Sequence, residues 1–134
     1  MRSETVRLHT GDRLVTELTD VIAAFLRAET GDGVLNLFAP HATAGLALLE
    51  TGSGSEADLE RAIDRLLPRD ERYDHRHGSA GHGADHVLPA FISPSLMVPV
   101  IGGSPQLGTW QSAVFVDPNR DNPERSLMLS FIAG

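Results

Sequence analysis

The sequence predicts an α+β fold, a single compact domain over residues 1–134 with a mixed, largely antiparallel sheet packed against two or three helices. Three observations carry that expectation. Apolar residues recur at helical spacing in two segments, around residues 18–26 and 59–66. Six or seven short apolar or alternating runs read as strands. Turn signals such as Gly102-Gly103 and Pro118-Asn119 separate the last of these runs. At 134 residues the chain has the length of one domain and should bury roughly two-thirds of its unfolded surface.

Taken in order, residues 2–8 alternate, with Val6 and Leu8 among Arg2, Glu4 and Arg7, and predict a strand that Thr10-Gly11-Asp12 turns. Arg13-Leu14-Val15 predicts a second short strand. Thr16 reads as the N-cap of a helix whose stripe is Leu18, Val21, Ile22, Phe25 and Leu26, with Glu17 and Asp20 in its first turn and Gly31 as its stop. Val34–Ala39 and Leu46–Leu49 predict strands, joined by the small and polar link 40–45. Ser55 with Asp58 has the spacing of a helix start, Leu59, Ala62, Ile63 and Leu66 form the stripe, and Pro68 ends it. Residues 69–83 predict a long polar loop. A short helix near 87–92, limited by Pro89, precedes strands at 96–101, 113–116 and 127–132.

Composition removes several function classes. Eleven Arg and no Lys stand against eighteen Asp and Glu, a net charge of −7, so the chain lacks the basic footprint of a nucleic-acid binder. The absence of cysteine excludes disulfides, thiolate nucleophiles and thiolate metal ligands. No apolar run reaches the roughly 20 residues of a membrane span, and the start of the sequence has no hydrophobic signal segment, so a cytoplasmic protein is expected.

Histidine is the strongest chemical signal. Five of the six histidines lie between positions 41 and 86. His75 and His77 would share a face of an extended segment, and His82 and His86 would share a face of a helix, a spacing common for two ligands of one metal. His41 stands at the end of a core strand, where active-site residues are often held. The competing reading is a solvated loop whose histidines bind nothing. Asp70, Glu71, Asp74 and Asp85 in the same stretch could ligate, orient an imidazole or solubilise the loop. Glu50 ends a strand and could serve as a base or as a surface charge, and Trp110 with Gln111 could line a pocket or pack in the core.

These pieces occur in a telling order. His41-Ala42-Thr43-Ala44-Gly45-Leu46 is followed by Glu50, then Asp58, Tyr73-Asp74-His75 and His86. Ser95–Val100, the block Leu107-Gly108-Thr109-Trp110-Gln111 and Arg125 before a last strand complete the series. The order resembles the YjbQ-like family, an uncharacterised protein family whose members often carry the label secondary thiamine-phosphate synthase. The resemblance implies a homotrimer with sites between subunits and a His-lined pocket that holds a divalent metal such as zinc. By matching position it implies His41, His75 and His86 as ligands, Thr43 and Glu50 as catalytic residues, and Trp110, Gln111 and Arg125 as contacts to a small-molecule ligand. The chain departs from the family where Leu88 replaces a lysine and Pro89 follows it, beside His86.

Two functions are therefore expected to compete. One is a metal-dependent enzyme on a small phosphorylated or heterocyclic substrate, with thiamine-phosphate-synthase activity weak at best because cationic groups for a pyrophosphate leaving group are few. The other is a non-catalytic trimeric protein that binds a metal or an anion. Of the remaining histidines, His77 and His82 are the reserve ligands.

Overall fold

A computed structural model describes residues 1–134 and contains eight strands in two sheets. Strands β1 (Arg2–His9), β8 (Glu124–Ala133), β3 (Gly33–Phe38), β5 (Ser95–Ile101) and β6 (Ser104–Pro105) lie side by side in that order. Strands β2 (Val15–Glu17), β7 (Ser112–Val116) and β4 (Gly45–Leu49) form the second sheet, and every pairing in both sheets is antiparallel. Helix α1 (Thr19–Leu26) follows β2, and α2 (Ser55–Leu66) follows β4.

The layers follow from which faces are apolar. Leu35 and Leu37 of β3, Leu127, Leu129 and Phe131 of β8 and Val100 of β5 point to one side of the five-stranded sheet. They pack with Ile22, Phe25 and Leu26 of α1 and with Ala113 and Phe115 of β7. The alternate residues of β7, Val114 and Val116, face the other way and pack with Ile63 and Leu67 of the α2 end and with Ala84 and Leu88. β7 is thus buried on both faces, which is why its sequence is an apolar run and not an alternation. The second small core carries the histidine loop on its far side, so the loop is anchored although it contains no long helix.

The predicted elements are present with shifted ends. The first helix starts at Thr19, after Thr16 has paired with Phe115 and Leu18 N–H has bonded to Ala113 O. Sheet pairing therefore takes the residue that local sequence suggested as a cap. α1 also ends well before Gly31, at Leu26, where the Arg2 guanidinium crosses from β1 to donate to Phe25 O at 2.6 Å. Gly54, with φ 99°, stands at the N-cap of α2 in place of Ser55. Asp58 pairs with Arg61 on the helix surface, the solvated role open to it from the outset. Pro89 sits inside a single short 3-10 turn at Leu88–Ala90, which is all the helix that position permits.

The outer face of the five-stranded sheet is uncovered. Register places Phe38 opposite Met128 and Val34 opposite Ile132, with Met97 and Ile101 on the neighbouring strand. Phe38, Met97, Ile101, Met128 and Ile132 are all exposed.

Close approach of β4 to the segment before β5 depends on Gly45, where an added Cβ would lie 2.1 Å from Ile92 O and 2.6 Å from Ile92 Cγ2. Gly31 has open space around it. Gly45→Ala should therefore cost about 1–3 kcal/mol, whereas Gly31→Ala should leave stability nearly unchanged. Denaturant melts of the two variants check this; equal stabilities would show that the approach at Gly45 is not tight.

Candidate functional site

Four histidines meet on the outside of the second core. His75 and His77 are brought together by the chain itself, with ring centroids 3.9 Å apart. His82 opens a single 3-10 turn, His82–Ala84, and the chain continues to turn so that His86 Nε2 lies 2.8 Å from His82 Nε2. His75 stacks on His86 at 4.0 Å, and the widest separation among the four rings is 6.1 Å, between His77 and His82. The turn can lie against the His75 segment because residue 83 is glycine: a Cβ there would be 2.6 Å from both Tyr73 Cβ and His75 O. His82 is buried, His75 and His86 are half-buried, and His77 is exposed.

Charged groups lie behind the rings. Asp85, 1% exposed, receives Arg69 NH1 on Oδ1 at 2.8 Å and on Oδ2 at 2.9 Å. Its Oδ2 lies 3.4 Å from His82 Nδ1, and Asp121 Oδ2 lies 3.6 Å from the same nitrogen. Burial raises the Asp85 carboxyl above the usual carboxylate range, opposed by the Arg69 guanidinium. Burial and then the positive charge of neighbouring His75, His82 and His77 lower His86 below an ordinary imidazole. The lowering favours a neutral His86 ring, the form that binds metals.

The donor chemistry suits a divalent transition ion, since imidazole serves zinc, copper and nickel alike. Two buried ring nitrogens, His75 Nδ1 and His82 Nδ1, have no hydrogen-bond partner. The rings are nonetheless not arranged as a finished shell: no three donors converge on a common point in this conformation. At 2.8 Å, Nε2 of His82 and His86 are closer than the roughly 3.3 Å that two tetrahedral ligands keep at a metal–nitrogen distance of about 2.0–2.1 Å. A separation of about half an ångström would open the pair to an ion.

His41 belongs to a different constellation. Its Nε2 lies 2.9 Å from Ser126 N and 3.1 Å from Ser126 O, and its Nδ1 lies 3.3 Å from Arg125 NH1. Arg125 also donates through Nε to Asp117 Oδ2 at 2.7 Å and through NH2 to Thr43 Oγ1 at 3.0 Å. Thr43 in turn donates to Asp117 Oδ1 at 2.9 Å, and the same oxygen receives the Asn119 backbone N–H. Burial first, and then Arg125, lower the His41 pKa, because a second proton would turn an N–H toward the guanidinium.

Comparison with known proteins places this architecture. Residues 4–134 match the UPF0047 protein YjbQ-like family. The chain belongs to the YjbQ-like UPF0047 family. A UPF0047 protein of Mycobacterium tuberculosis is 57% identical over 134 residues, the whole of both chains. The UPF0047 protein YjbQ of Salmonella typhimurium is 35% identical over 103 residues, covering 75% of this chain and 73% of that one. Among solved structures, a protein of Aeropyrum pernix K1 superposes with a TM-score of 0.89 at 28% identity over all of both chains. A YbjQ-like protein of Sulfolobus solfataricus P2 shares the fold, with a TM-score of 0.90 at 18% identity over 99% of this chain and 97% of that one.

Within this member of the YjbQ-like family, the residues picked from sequence fall into separate groups. His75 and His86 are brought together, joined by the reserve residues His77 and His82. His41, Thr43 and Arg125 are brought together elsewhere. Glu50 is exposed just past the end of β4. Gln111 Oε1 accepts the Gly108 N–H at 2.8 Å and closes a turn, on which Trp110 stands 73% exposed and so is no core residue. Asp117 and Arg69 escaped sequence reading. An acidic residue directly after the apolar run 113–116 was the available signal for Asp117; nothing local marks Arg69, whose partner lies 16 residues away.

A lowered folded-state pKa means that the unfolded chain takes up the proton more readily. Stability from His41 and His86 is thus present above about pH 6.5 and falls as pH drops through that value toward the folded pKa. Chelator-treated protein should melt at a lower temperature at pH 5.5 than at pH 7.5, and His41→Gln should reduce the difference. An unchanged difference in the variant would remove His41 from the acid response.

Proposed function

We propose that this protein binds a divalent transition metal, zinc being the representative ion, through His75, His82 and His86, with His77 as the fourth, exposed ligand. The observation that carries the reading is the approach of four imidazoles from two chain segments to within 6.1 Å of one another. Nothing in packing requires four imidazoles there, and His75 Nδ1 is buried without a partner. His41 is left out of the ligand set because both its ring nitrogens are occupied by Arg125 and Ser126.

Four protein ligands favour a closed shell, and so a metal-binding protein, over catalysis. Should His77 give way to water, a bound ion would supply a water acidified to near neutrality, the basis of hydrolysis. A reaction that expels pyrophosphate gains little from Arg125, because all three of its nitrogens already face Asp117, Thr43 and His41. Self-association, as a homotrimer, is the second part of the proposal. It is supported by the apolar outer face at Phe38, Met97, Ile101, Met128 and Ile132, which a lone chain leaves in water.

Metal content and stability test the first part. Tag-free protein should carry close to one equivalent of metal per chain by elemental analysis, and zinc at about 100 times its dissociation constant should add about 2.7 kcal/mol to stability. The double variant His82→Ala, His86→Ala should lose both the metal and the increment, and the wild-type increment should shrink at pH 5.5, where imidazoles compete for protons. Metal retained by the double variant would refute the assignment.

Light scattering tests the second part. A mass three times the 14.4 kDa chain is expected at micromolar concentration, and Met97→Glu with Ile132→Glu should lower it. A monomeric wild-type protein would reject self-association through this face.

A further inference from the structure

We infer that Asp85, clamped by Arg69, is a positioning residue that holds His82 as the Nδ1–H tautomer and so aims the Nε2 lone pair into the histidine cluster. The inference rests on the metal-binding reading for its consequence, though its structural content is independent of it.

The argument begins with donors and acceptors. Arg69 can only donate, and its NH1 already reaches both oxygens of Asp85 as well as Pro118 O at 3.1 Å. A single guanidinium nitrogen bonded to both oxygens fixes the orientation of a carboxylate that is itself 1% exposed. An ionised carboxylate can only accept, so the ring nitrogen facing it must be the one that carries the proton. That nitrogen is His82 Nδ1, which is buried without a hydrogen-bond partner and lies 3.4 Å from Asp85 Oδ2. The Nε2 edge is then left as an acceptor toward His86 Nε2 at 2.8 Å.

The two imperfect distances have one remedy. The Asp85 contact is longer than a good hydrogen bond, while the contact between the two Nε2 atoms is too short for two ligands of one ion. Retreat of the His82 ring from His86 toward Asp85 by about half an ångström tightens the first and opens the second. Histidine ligands commonly donate their second N–H to a carboxylate in this way, and loss of such a partner typically costs 10–100-fold in metal affinity. Asp121 Oδ2 also lies near Nδ1, at 3.6 Å, but its side chain is 37% exposed and no arginine clamps it.

Asp85→Asn separates position from acceptor character. Both Asp85 oxygens lie within 2.9 Å of Arg69 NH1, so the single oxygen of the amide meets Arg69 in either orientation. In both orientations the carboxylate charge that holds the proton on His82 Nδ1 is lost. The readouts are the ring nitrogen chemical shifts of metal-free, 15N-labelled protein and zinc affinity by calorimetry. Wild type is expected to show His82 with Nδ1 protonated; Asp85→Asn should lose that preference, so that the Nε2–H tautomer becomes populated, and weaken zinc 10–100-fold, while Asp121→Asn changes neither. A wild-type His82 protonated on Nε2 overturns the inference whatever the variants do. So does an Asp85→Asn protein, folded by its amide spectrum, with unchanged tautomer and affinity. A locked Nδ1–H tautomer in a wild-type protein that binds no zinc would leave the positioning role standing and refute the metal-binding reading alone.

Discussion

The buried pair of Asp117 and Arg125 joins the two sheets. Asp117 follows directly on β7, the strand that both cores need, and Arg125 lies in β8, between β1 and β3 of the five-stranded sheet. Their contact is 2.7 Å with side chains 0% and 8% exposed. Ions taken so far out of water are tolerated only when every remaining hydrogen-bonding position is met. Here Thr43, His41 and the Asn119 backbone give each further nitrogen and oxygen of the pair a partner. Removing one partner from such a pair typically costs about 3–5 kcal/mol, more than most apolar truncations at the surface of a core. The link between β3 and β4 is small and polar where it lies over this pair, and Thr43 and His41 both bond to it.

The same loop that leaves Asp117 reaches the histidines. Pro118 O accepts from Arg69, Arg69 clamps Asp85, and Asp85 faces His82. Asp121, four residues after Asp117, accepts the Ser79 N–H and approaches His82 from the other side. The histidine cluster therefore rests on the inter-sheet pair through a few polar contacts, while Ala84 and Leu88 fasten its turns to the second core. A loop so tied can hold four imidazoles together without a long helix. This arrangement also gives the two constellations different chemistry. One is a network in which each Arg125 nitrogen has a partner; the other has unmet ring nitrogens and a half-exposed rim.

Much of this was legible in the sequence. Apolar runs, alternation and helical periodicity located both helices and the strands of five or more residues, because those signals report burial and burial dominates. Ends were less legible: Thr16 has every local property of a cap, but pairing with Phe115 depends on a strand a hundred residues away. For the site, His75 with His77 and His82 with His86 were visible as local pairs. Their meeting was not, since it depends on Gly83 passing beneath Tyr73. Matching position alone grouped His41 with His75 and His86, whereas the chain joins His41 to Arg125. No spacing rule discloses that an imidazole will be occupied on both nitrogens, and Arg69 and Asp85 find one another only in the fold.

Anomalous diffraction at the zinc edge, from crystals of tag-free protein loaded with zinc, tests the four-histidine centre most directly. One strong peak per chain is expected, within bonding distance of Nε2 of both His82 and His86, with His75 in the shell and Asp85 on the far side of His82. A peak bonded to His41, or a saturated crystal with no peak among His75, His77, His82 and His86, would contradict it.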